Sequence, residues 1–197
     1  MATAVLPRVS PEEYLATERQ AETKSSYIGG EIIPMPGASR VHNLIMLSLG
    51  GELRARMKGR ACEVFASDMR VLVSDSGMYT YPDIVVVRGQ PQLLDNHFDT
   101  LLNPTVIIEV LSSSTESFDR GRKLQNYQRL DSLCEYILVS QKEPLVERMV
   151  RNGNSWSLTE FRGLNAIVRF ESLDCEVASS EIYDRVFPVK PESNPPN

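Results

Sequence analysis

Apolar and polar positions alternate along the chain in patterns that predict a mixture of helices and strands. Near the start, Ser10, Pro11 and Glu13 form a helix-start signal, and the helix is predicted to run to about Gln20. A Gly29–Gly30 pair then separates two short apolar segments, which indicates a two-residue β-hairpin. The chain is therefore predicted to open with a helix followed by a hairpin.

Between Ser39 and Met57 the apolar residues recur mainly at helical spacing, which predicts the longest helix in the first half of the chain. Three strand-like segments follow at Cys62–Ala66, Met69–Ser74 and Tyr81–Arg88. Turn residues separate the second segment from the third, so the three strands are predicted to form a meander.

The apolar segment Val106–Leu111 is interrupted only by Glu109, as expected of a central strand covered on both faces. A helix capped by the serine-rich segment Ser112–Glu116 is predicted next, followed by an apolar strand at Tyr136–Val139. Strand, helix and strand in this order predict two parallel strands joined by a crossover. Three further strands and a short final helix are expected at Leu145–Arg151, Trp156–Phe161, Ala166–Phe170 and Ser180–Val186.

The composition is that of one compact domain. The chain has 197 residues, of which 42% are hydrophobic, enough for a single core. We expect this domain to span 1–197, with a core of about 10–187 and a flexible, proline-rich tail at 188–197. The three cysteines lack metal-type spacing, and no secretion signal or membrane-spanning apolar segment is present. These features predict a cytoplasmic protein with no membrane association.

The charge balance has the wrong sign for a protein that coats nucleic acid, since the net charge is −5. Two local groups of basic residues could nevertheless contact phosphates. The candidates for nucleic-acid binding are Arg54 and Arg56 in one group, and Arg120 and Arg122 in the other. The alternative is that both groups are solvated helix faces.

A candidate catalytic site combines two carboxylates with a lysine. Asp83 follows Pro82 at the start of a strand, Glu109 lies inside a buried strand, and Lys123 lies in the following helix. A buried carboxylate is costly unless a cation meets it. Carboxylates that hold Mg²⁺ or Mn²⁺, with a lysine that orients or deprotonates water and stabilises the transition state, are typical of phosphodiester hydrolysis.

Each of these residues also has a structural interpretation. Asp83 could be a turn residue, Glu109 could form a structural ion pair with Arg122 or Lys123, and Asp119 could face solvent. His42 could be a metal ligand or a phosphate contact, but a histidine beside a helix start is more often a polar surface residue or a satisfied core residue.

Several short motifs together resemble the Uma-two family of restriction-endonuclease-like proteins. The motifs that carry the resemblance are Tyr27–Ile32, Met35, His42, Cys62, Tyr81–Asp83 and the segment Glu109–Tyr136. The resemblance implies the PD-(D/E)XK nuclease fold, an α/β (α+β) class with a central mixed β-sheet flanked by helices, here preceded by an N-terminal helix and β-hairpin.

The resemblance also implies roles for individual residues. Asp83 and Glu109 would be the two acids of the motif, and Lys123 would be its lysine moved to the helix, since Leu111 stands where that lysine usually lies. The backbone carbonyl of Val110 would complete the Mg²⁺ or Mn²⁺ ligands. The family does not supply a physiological target; DNA is the substrate that we expect from Asp83, Glu109 and Lys123, and cleavage of both strands of a duplex would favour a homodimer.

One family residue is missing. Members of the family usually carry a glutamate where this chain has Ser26, and Glu31 is a candidate to compensate for it. Further auxiliary candidates are His42, Asp119 and Tyr127. The leading hypothesis is therefore a metal-dependent endonuclease, in which the loss of this glutamate could weaken or abolish activity. The alternative hypotheses are a non-catalytic nuclease-like module that binds nucleic acid or a protein partner, and a protein in which Glu109 and Lys123 form a structural ion pair.

Overall fold

The computed structural model of the protein describes residues 9–187, so the predicted tail at 188–197 lies outside the described residues. The helices in this part of the chain are α1 (Pro11–Glu18), α2 (Arg40–Met57), α3 (Glu116–Phe118), α4 (Leu124–Tyr127) and α5 (Ser179–Ile182). The strands are β1 (Ser25–Ile28), β2 (Glu31–Pro34), β3 (Cys62–Ala66), β4 (Arg70–Val73), β5 (Met78–Thr80), β6 (Ile84–Arg88), β7 (Thr100–Leu101), β8 (Val106–Leu111), β9 (Glu135–Ser140), β10 (Leu145–Asn152), β11 (Ser155–Arg162), β12 (Ile167–Phe170) and β13 (Cys175–Ala178).

A six-stranded mixed sheet forms the centre of the fold. Its strand order is β11-β10-β9-β8-β6-β3, and β8 and β9 are parallel while the other neighbours are antiparallel. The central strand β8 is buried along its whole length, as its apolar sequence predicts. The predicted mixed sheet and the predicted parallel pair are therefore confirmed.

The two faces of this sheet carry separate hydrophobic clusters. Val106, Ile108 and Val110 of β8 pack into the cluster that contains α2, whereas Ile107 and Leu111 pack into the cluster that contains Tyr127 and Tyr136. Because side chains alternate along a strand, Glu109 lies on the same face as Ile107 and Leu111. The strand thus directs its only charged side chain toward the helical segment that follows it.

The predicted meander is wrong. β3 pairs with β6 in the central sheet, whereas β4 pairs with β5 in a second, five-stranded sheet of order β2-β1-β5-β4-β7. Strand β5 was not predicted. Because β4 pairs with β5, it belongs to the second sheet, whereas β3 belongs to the central one. Strand pairing depends on which faces are buried, and the spacing of turn residues does not contain that information.

Helix α2 follows the prediction closely. Ser39 caps it by accepting a hydrogen bond from the His42 N–H, and its buried residues recur every fourth position against the central sheet. These residues are Ile45, Leu49, Leu53 and Met57. The predicted start of α1 is also confirmed, with Ser10 and Glu13 forming a reciprocal capping box.

The connection between β8 and β9 is helical but irregular. A π-helical turn, Asp119–Lys123, lies between α3 and α4 and was not predicted. Thr115 is the N-terminal cap of α3, but its side chain makes no capping hydrogen bond. Ser112 Oγ, three residues earlier, accepts a hydrogen bond from the Thr115 N–H. Among residues 9–187, no helix is both long enough and apolar enough to cross a membrane.

Candidate active site

A cleft of about 720 Å³ opens at one edge of the central sheet. At this edge β6 begins and β8 ends, because the two strands are antiparallel and Ile84 pairs with Ile108. The first turn of α2 and the serine-rich segment after β8 form the sides of the cleft. Asp83, Glu109, Val110, Asp119 and Lys123 all line it. His42 lines it as well, so the fold brings together six of the residues that the sequence singled out.

Asp83 is held at the edge of the sheet by two protein groups. The Val110 N–H donates a hydrogen bond to Asp83 Oδ2 at 2.7 Å. Val110 lies beyond the first residue of β6, Ile84, which pairs with Ile108, so this side-chain bond takes the place of a strand-to-strand hydrogen bond. His42 Nε2 lies 3.1 Å from Asp83 Oδ1. Asp83 is therefore an ordered carboxylate whose side chain is 15% exposed and faces the cleft, and the interpretation as a simple turn residue does not describe it.

Glu109, Asp119 and Lys123 form a buried ionic cluster. Lys123 Nζ lies 2.9 Å from Glu109 Oε1 and 2.9 Å from Asp119 Oδ1. The Tyr127 hydroxyl donates to the same Glu109 oxygen at 3.0 Å. All three charged residues are at most 5% exposed. The ion pair of Glu109 is therefore with Lys123 and not with Arg122, and Asp119 does not face solvent.

The cluster contains one ammonium group for two carboxylates. Burial raises the pKa of the Glu109 carboxyl to about 8, against the opposing effect of Lys123 and with a further increase from Asp119 and Asp83. Burial alone would lower the pKa of Lys123, but Glu109 and Asp119 raise it above its usual value. Lys123 is therefore a cation at neutral pH, and Glu109 is poised between its two protonation states.

His42 lines the cleft beside Asp83, and its second ring nitrogen is unusual. Nδ1 is buried and has no hydrogen-bond partner among residues 9–187. A buried polar atom without a partner carries a free-energy cost, so a molecule in the cleft that bonded to it would be favoured.

The four arginines proposed to bind nucleic acid are not among the residues that line the cleft. Arg120 is paired with Glu116 and Glu147, and Arg122 is paired with Glu31. Arg54 and Arg56 lie in the last turn of α2, and Arg54 is about 18 Å along the helix axis from His42. The sequence could not reveal the pairing of Arg120 with Glu147 or of Arg122 with Glu31, because these glutamates come from distant parts of the chain.

Ser26 and Glu31 also lie outside the cleft lining. Ser26 is buried in β1, where its hydroxyl donates to Thr80 Oγ1 at 3.1 Å. Glu31 is exposed at the start of β2 and forms its ion pair with Arg122 at 3.0 Å. Glu31 is therefore engaged outside the cleft, and its geometry does not support a compensating role for the missing glutamate.

Sequence reasoning missed several polar residues of the cleft. These are Lys24, Ser39, Ser67, Gln141 and Lys142. Gln141 and Lys142 follow β9, and the carboxyl ends of parallel strands meet at one edge of a sheet. Because β8 and β9 were predicted to be parallel, the sequence could have indicated that Gln141 and Lys142 lie at the same sheet edge as the end of β8.

The oxygen ligands in the cleft fit a hard divalent cation. Glu109 contacts both Lys123 and Tyr127 through Oε1, so neither of these two residues occupies its other oxygen, Oε2. Mg²⁺ takes few protein carboxylates and keeps several waters, so Asp83, Glu109 and the Val110 carbonyl are candidate ligands for it. Within the described residues, no group of three or more His, Cys, Asp or Glu side chains could enclose a metal. A closed zinc-type cage is therefore not formed there.

A solved structure shares the fold of this chain. The crystal structure of "a putative nuclease belonging to DUF820" from Anabaena variabilis superimposes with a TM-score of 0.76 and 18% sequence identity, covering 91% of this chain and 99% of that one. The predicted fold class, a nuclease-like α+β fold with a mixed sheet flanked by helices, is thus confirmed.

Sequence similarity extends over nearly the same region. Two Synechocystis sp. proteins, "Uncharacterized protein sll1609" and "Uncharacterized protein slr1290", are 39% and 30% identical to this chain. The alignments cover 86% and 92% of this chain, and 97% and 94% of those proteins. Residues 11–178 match the family described as "Uma2: Putative restriction endonuclease". The chain therefore belongs to the Uma2 family of restriction-endonuclease-like proteins.

Proposed function

We propose that the protein is a Mg²⁺- or Mn²⁺-dependent endonuclease that hydrolyses the phosphodiester bonds of DNA. The observation that carries this proposal is the convergence of Asp83, Glu109 and Lys123 in one cleft at the sheet edge. Two carboxylates and a lysine from three separate chain segments are costly to gather at one place, and such clusters are common where charge must be stabilised during a reaction.

Asp83 and Glu109 would hold the metal with the Val110 carbonyl. Extending the β6–β8 register by two residues sets Pro82 opposite Val110, and a proline has no N–H to donate to that carbonyl. The carbonyl is then available to a ligand, while the Val110 N–H fixes Asp83. A bound divalent ion supplies Lewis-acid stabilisation of the phosphate and lowers the pKa of a bound water.

Lys123 acts as a cation in this proposal. Its raised pKa keeps it protonated, so it stabilises negative charge on the phosphate oxygens and orients water, and it does not serve as the general base. Asp119 holds the ammonium group from the other side, and Tyr127 holds Glu109. Cleavage of both strands of a duplex would require two such sites, which favours a two-fold dimer.

The test is a nicking assay on supercoiled plasmid with Mg²⁺ or Mn²⁺. Asp83→Asn and Glu109→Gln should each lower the nicking rate by about 100-fold or more, because each removes a metal-binding charge. The matched control is Glu135→Gln, since Glu135 is a fully buried glutamate of the neighbouring strand β9 and is paired in register with Val106, at the other end of β8.

Two results would contradict the proposal. One is nicking that survives in the Asp83→Asn/Glu109→Gln double variant, which would identify a contaminating nuclease. The other is the absence of nicking by a folded wild-type protein with either metal. Isothermal titration with Mg²⁺ and Mn²⁺ separates loss of metal binding from loss of a later step.

A second candidate function is a non-catalytic module that binds nucleic acid or a protein partner. It is favoured by Ser26, which is buried in β1 outside the cleft and stands where the family usually has a glutamate, and by the exposed pairing of Glu31 with Arg122. This module would bind without turnover, and any binding to DNA would weaken as the salt concentration rises.

A further inference from the structure

Three lysines line the cleft, and they differ sharply in exposure. Lys123 is buried among carboxylates, whereas the side chains of Lys24 and Lys142 are 38% and 69% exposed. Among the described residues no arginine lines the cleft. Lys24 and Lys142 are therefore the accessible cations of this surface.

Lys24 is held beside the turn that follows β3. Its ammonium group donates to the Ser67 carbonyl at 3.0 Å and to Asp68 Oδ1 at 2.8 Å, and it lies 5.5 Å from the centre of the Tyr81 ring. Asp68 itself is 91% exposed. Lys24 is thus fixed in position by the carbonyl and the ring, while its carboxylate partner is free to exchange with solvent.

Lys142 lies just after β9, on the other side of the cleft. Its ammonium group contacts Glu116 Oε2 at 2.9 Å. Glu116 is also paired with Arg120, so it keeps a cationic partner if Lys142 moves away. Exposed ion pairs of this kind contribute little to stability. Both lysines can therefore exchange their carboxylates for another anion.

The order of strands sets the spacing of the two lysines. The end of β3, next to Lys24, and the end of β9, before Lys142, lie at the same sheet edge with β6 and β8 between them. Three strand spacings separate β3 from β9, or about 14 Å. Asp83 and Glu109 belong to this middle part of the edge. The acidic site is thus flanked by one exposed lysine on each side.

We propose that Lys24 and Lys142 bind the phosphodiester backbone of duplex DNA on the two sides of the scissile phosphate. Each strand of a duplex carries a phosphate about every 3.4 Å along the helix axis, so the edge from β3 to β9 spans about four phosphates. The strand would run across the sheet edge, with its outer phosphates on the lysines and an inner one at Asp83 and Glu109. This inference rests on the proposed function and adds the path of the substrate.

The proposed contacts of Lys24 and Lys142 with the DNA backbone also predict low sequence selectivity at the two phosphates that they bind. Contacts between lysine and phosphate position DNA but do not distinguish bases. They add to affinity mainly by releasing condensed counterions, so their contribution falls as salt rises.

The experiment measures DNA binding separately from cleavage. Fluorescence anisotropy of a labelled 20-base-pair duplex, in EDTA and over a series of KCl concentrations, gives the salt slope of log Kd. We expect Lys24→Gln and Lys142→Gln each to reduce this slope by about 1, and the double variant by about 2. Lys142→Arg should keep the wild-type slope. Lys58→Gln is the matched control, because Lys58 is an exposed lysine after α2 and outside the cleft.

Unchanged slopes in Lys24→Gln and Lys142→Gln would overturn the inference, as would an equal reduction in Lys58→Gln or a wild-type protein that does not bind the duplex. Circular dichroism checks that the variants are folded. The nicking assay remains independent of this result. Reduced salt slopes in the lysine variants without any nicking would support the proposed DNA contacts and contradict the nuclease function. Nicking with unchanged slopes would support the nuclease function and contradict the proposed contacts.

Discussion

Glu109 combines full burial with an incomplete set of counter-charges. Within residues 9–187 its one cationic partner is Lys123, which it shares with Asp119, and Asp83 adds further negative charge nearby. Burial therefore has the largest effect and raises the pKa of Glu109 to about 8. Ionisation of such a buried carboxyl lowers the free energy of unfolding of the protein. Active-site groups are commonly placed at a cost in stability of this kind.

Replacement of Glu109 should have a pH-dependent effect on stability. Between its usual pKa of 4.5 and about 8, the folded protein holds the Glu109 proton more tightly than the unfolded chain does. The wild-type protein therefore loses stability from this group as pH rises through that range. Relative to wild type, Glu109→Gln should gain up to about 1.4 kcal/mol in unfolding free energy per pH unit. Urea denaturation at pH 5, 6.5 and 8 measures this.

Glu160→Gln is the control for this measurement, because Glu160 is exposed on β11 and pairs with Arg162. Its difference from wild type should not depend on pH in this range. If the unfolding free energy of Glu109→Gln changes with pH in parallel with that of the wild type, the pKa of Glu109 is not raised in the folded protein.

At the scale of elements, the π-helical turn determines how Lys123 reaches the site. The turn Asp119–Lys123 interrupts an otherwise α-helical connection, and both of its terminal residues belong to the ionic cluster. Such turns are rare and occur mostly as single-turn bulges, often at functional sites. Gly121 lies at the centre of the turn, and a Cβ added there would meet no atom within 4 Å.

Gly121→Ala should therefore fold normally and increase the unfolding free energy by about 0.5–1 kcal/mol, because alanine loses less backbone entropy in a helical turn. Thermal denaturation provides the measurement. Gly153→Ala is the contrasting variant, since Gly153 has a φ of +61° between β10 and β11 and alanine is strained there. A strong loss of stability in Gly121→Ala would mean that the π turn requires glycine.

At the scale of the whole molecule, the site lies on a framework held together by hydrophobic packing. Hydrophobic clusters cover both faces of the central sheet, and the acidic residues project from one edge of it. The part of the chain that the structure describes contains no enclosed metal centre. The fold should consequently survive metal removal, unlike that of a domain built around structural zinc.

Chelation and metal addition test this expectation. The protein should unfold cooperatively in EDTA. Addition of Mg²⁺ at ten times its dissociation constant should stabilise the protein by about 1.4 kcal/mol, which raises Tm by about 3–5 °C for a chain of this size. The Asp83→Asn/Glu109→Gln variant should show no increase. An equal increase in that variant would place the metal elsewhere on the protein.

The sequence by itself determined the local elements and the chemical types at the site. Helix α1 with its capping box, the hairpin, helix α2 and the apolar strand β8 were all predictable, because caps, turns and hydrophobic periodicity act over a few neighbouring residues. Asp83 and Glu109 stood out as carboxylates at the start of one apolar strand and inside another, and Lys123 was selected by its place in the helix after β8, four residues from Asp119, and by the resemblance to the family.

Only the tertiary structure decided which residues meet. The separation of β3 from β4, the contact of His42 with Asp83 and the sharing of Lys123 between two acids all join residues that no local pattern relates. The arginines changed their interpretation in the same way. Arg56, Arg120 and Arg122 each pair with a glutamate from a distant helix or strand, outside the cleft. The predicted parallel pairing of β8 and β9 was already a signal for Lys142. Strand partners and counter-charges are chosen by burial across the whole molecule, so the position of Lys24 beside the site became visible only after the sheet was assembled.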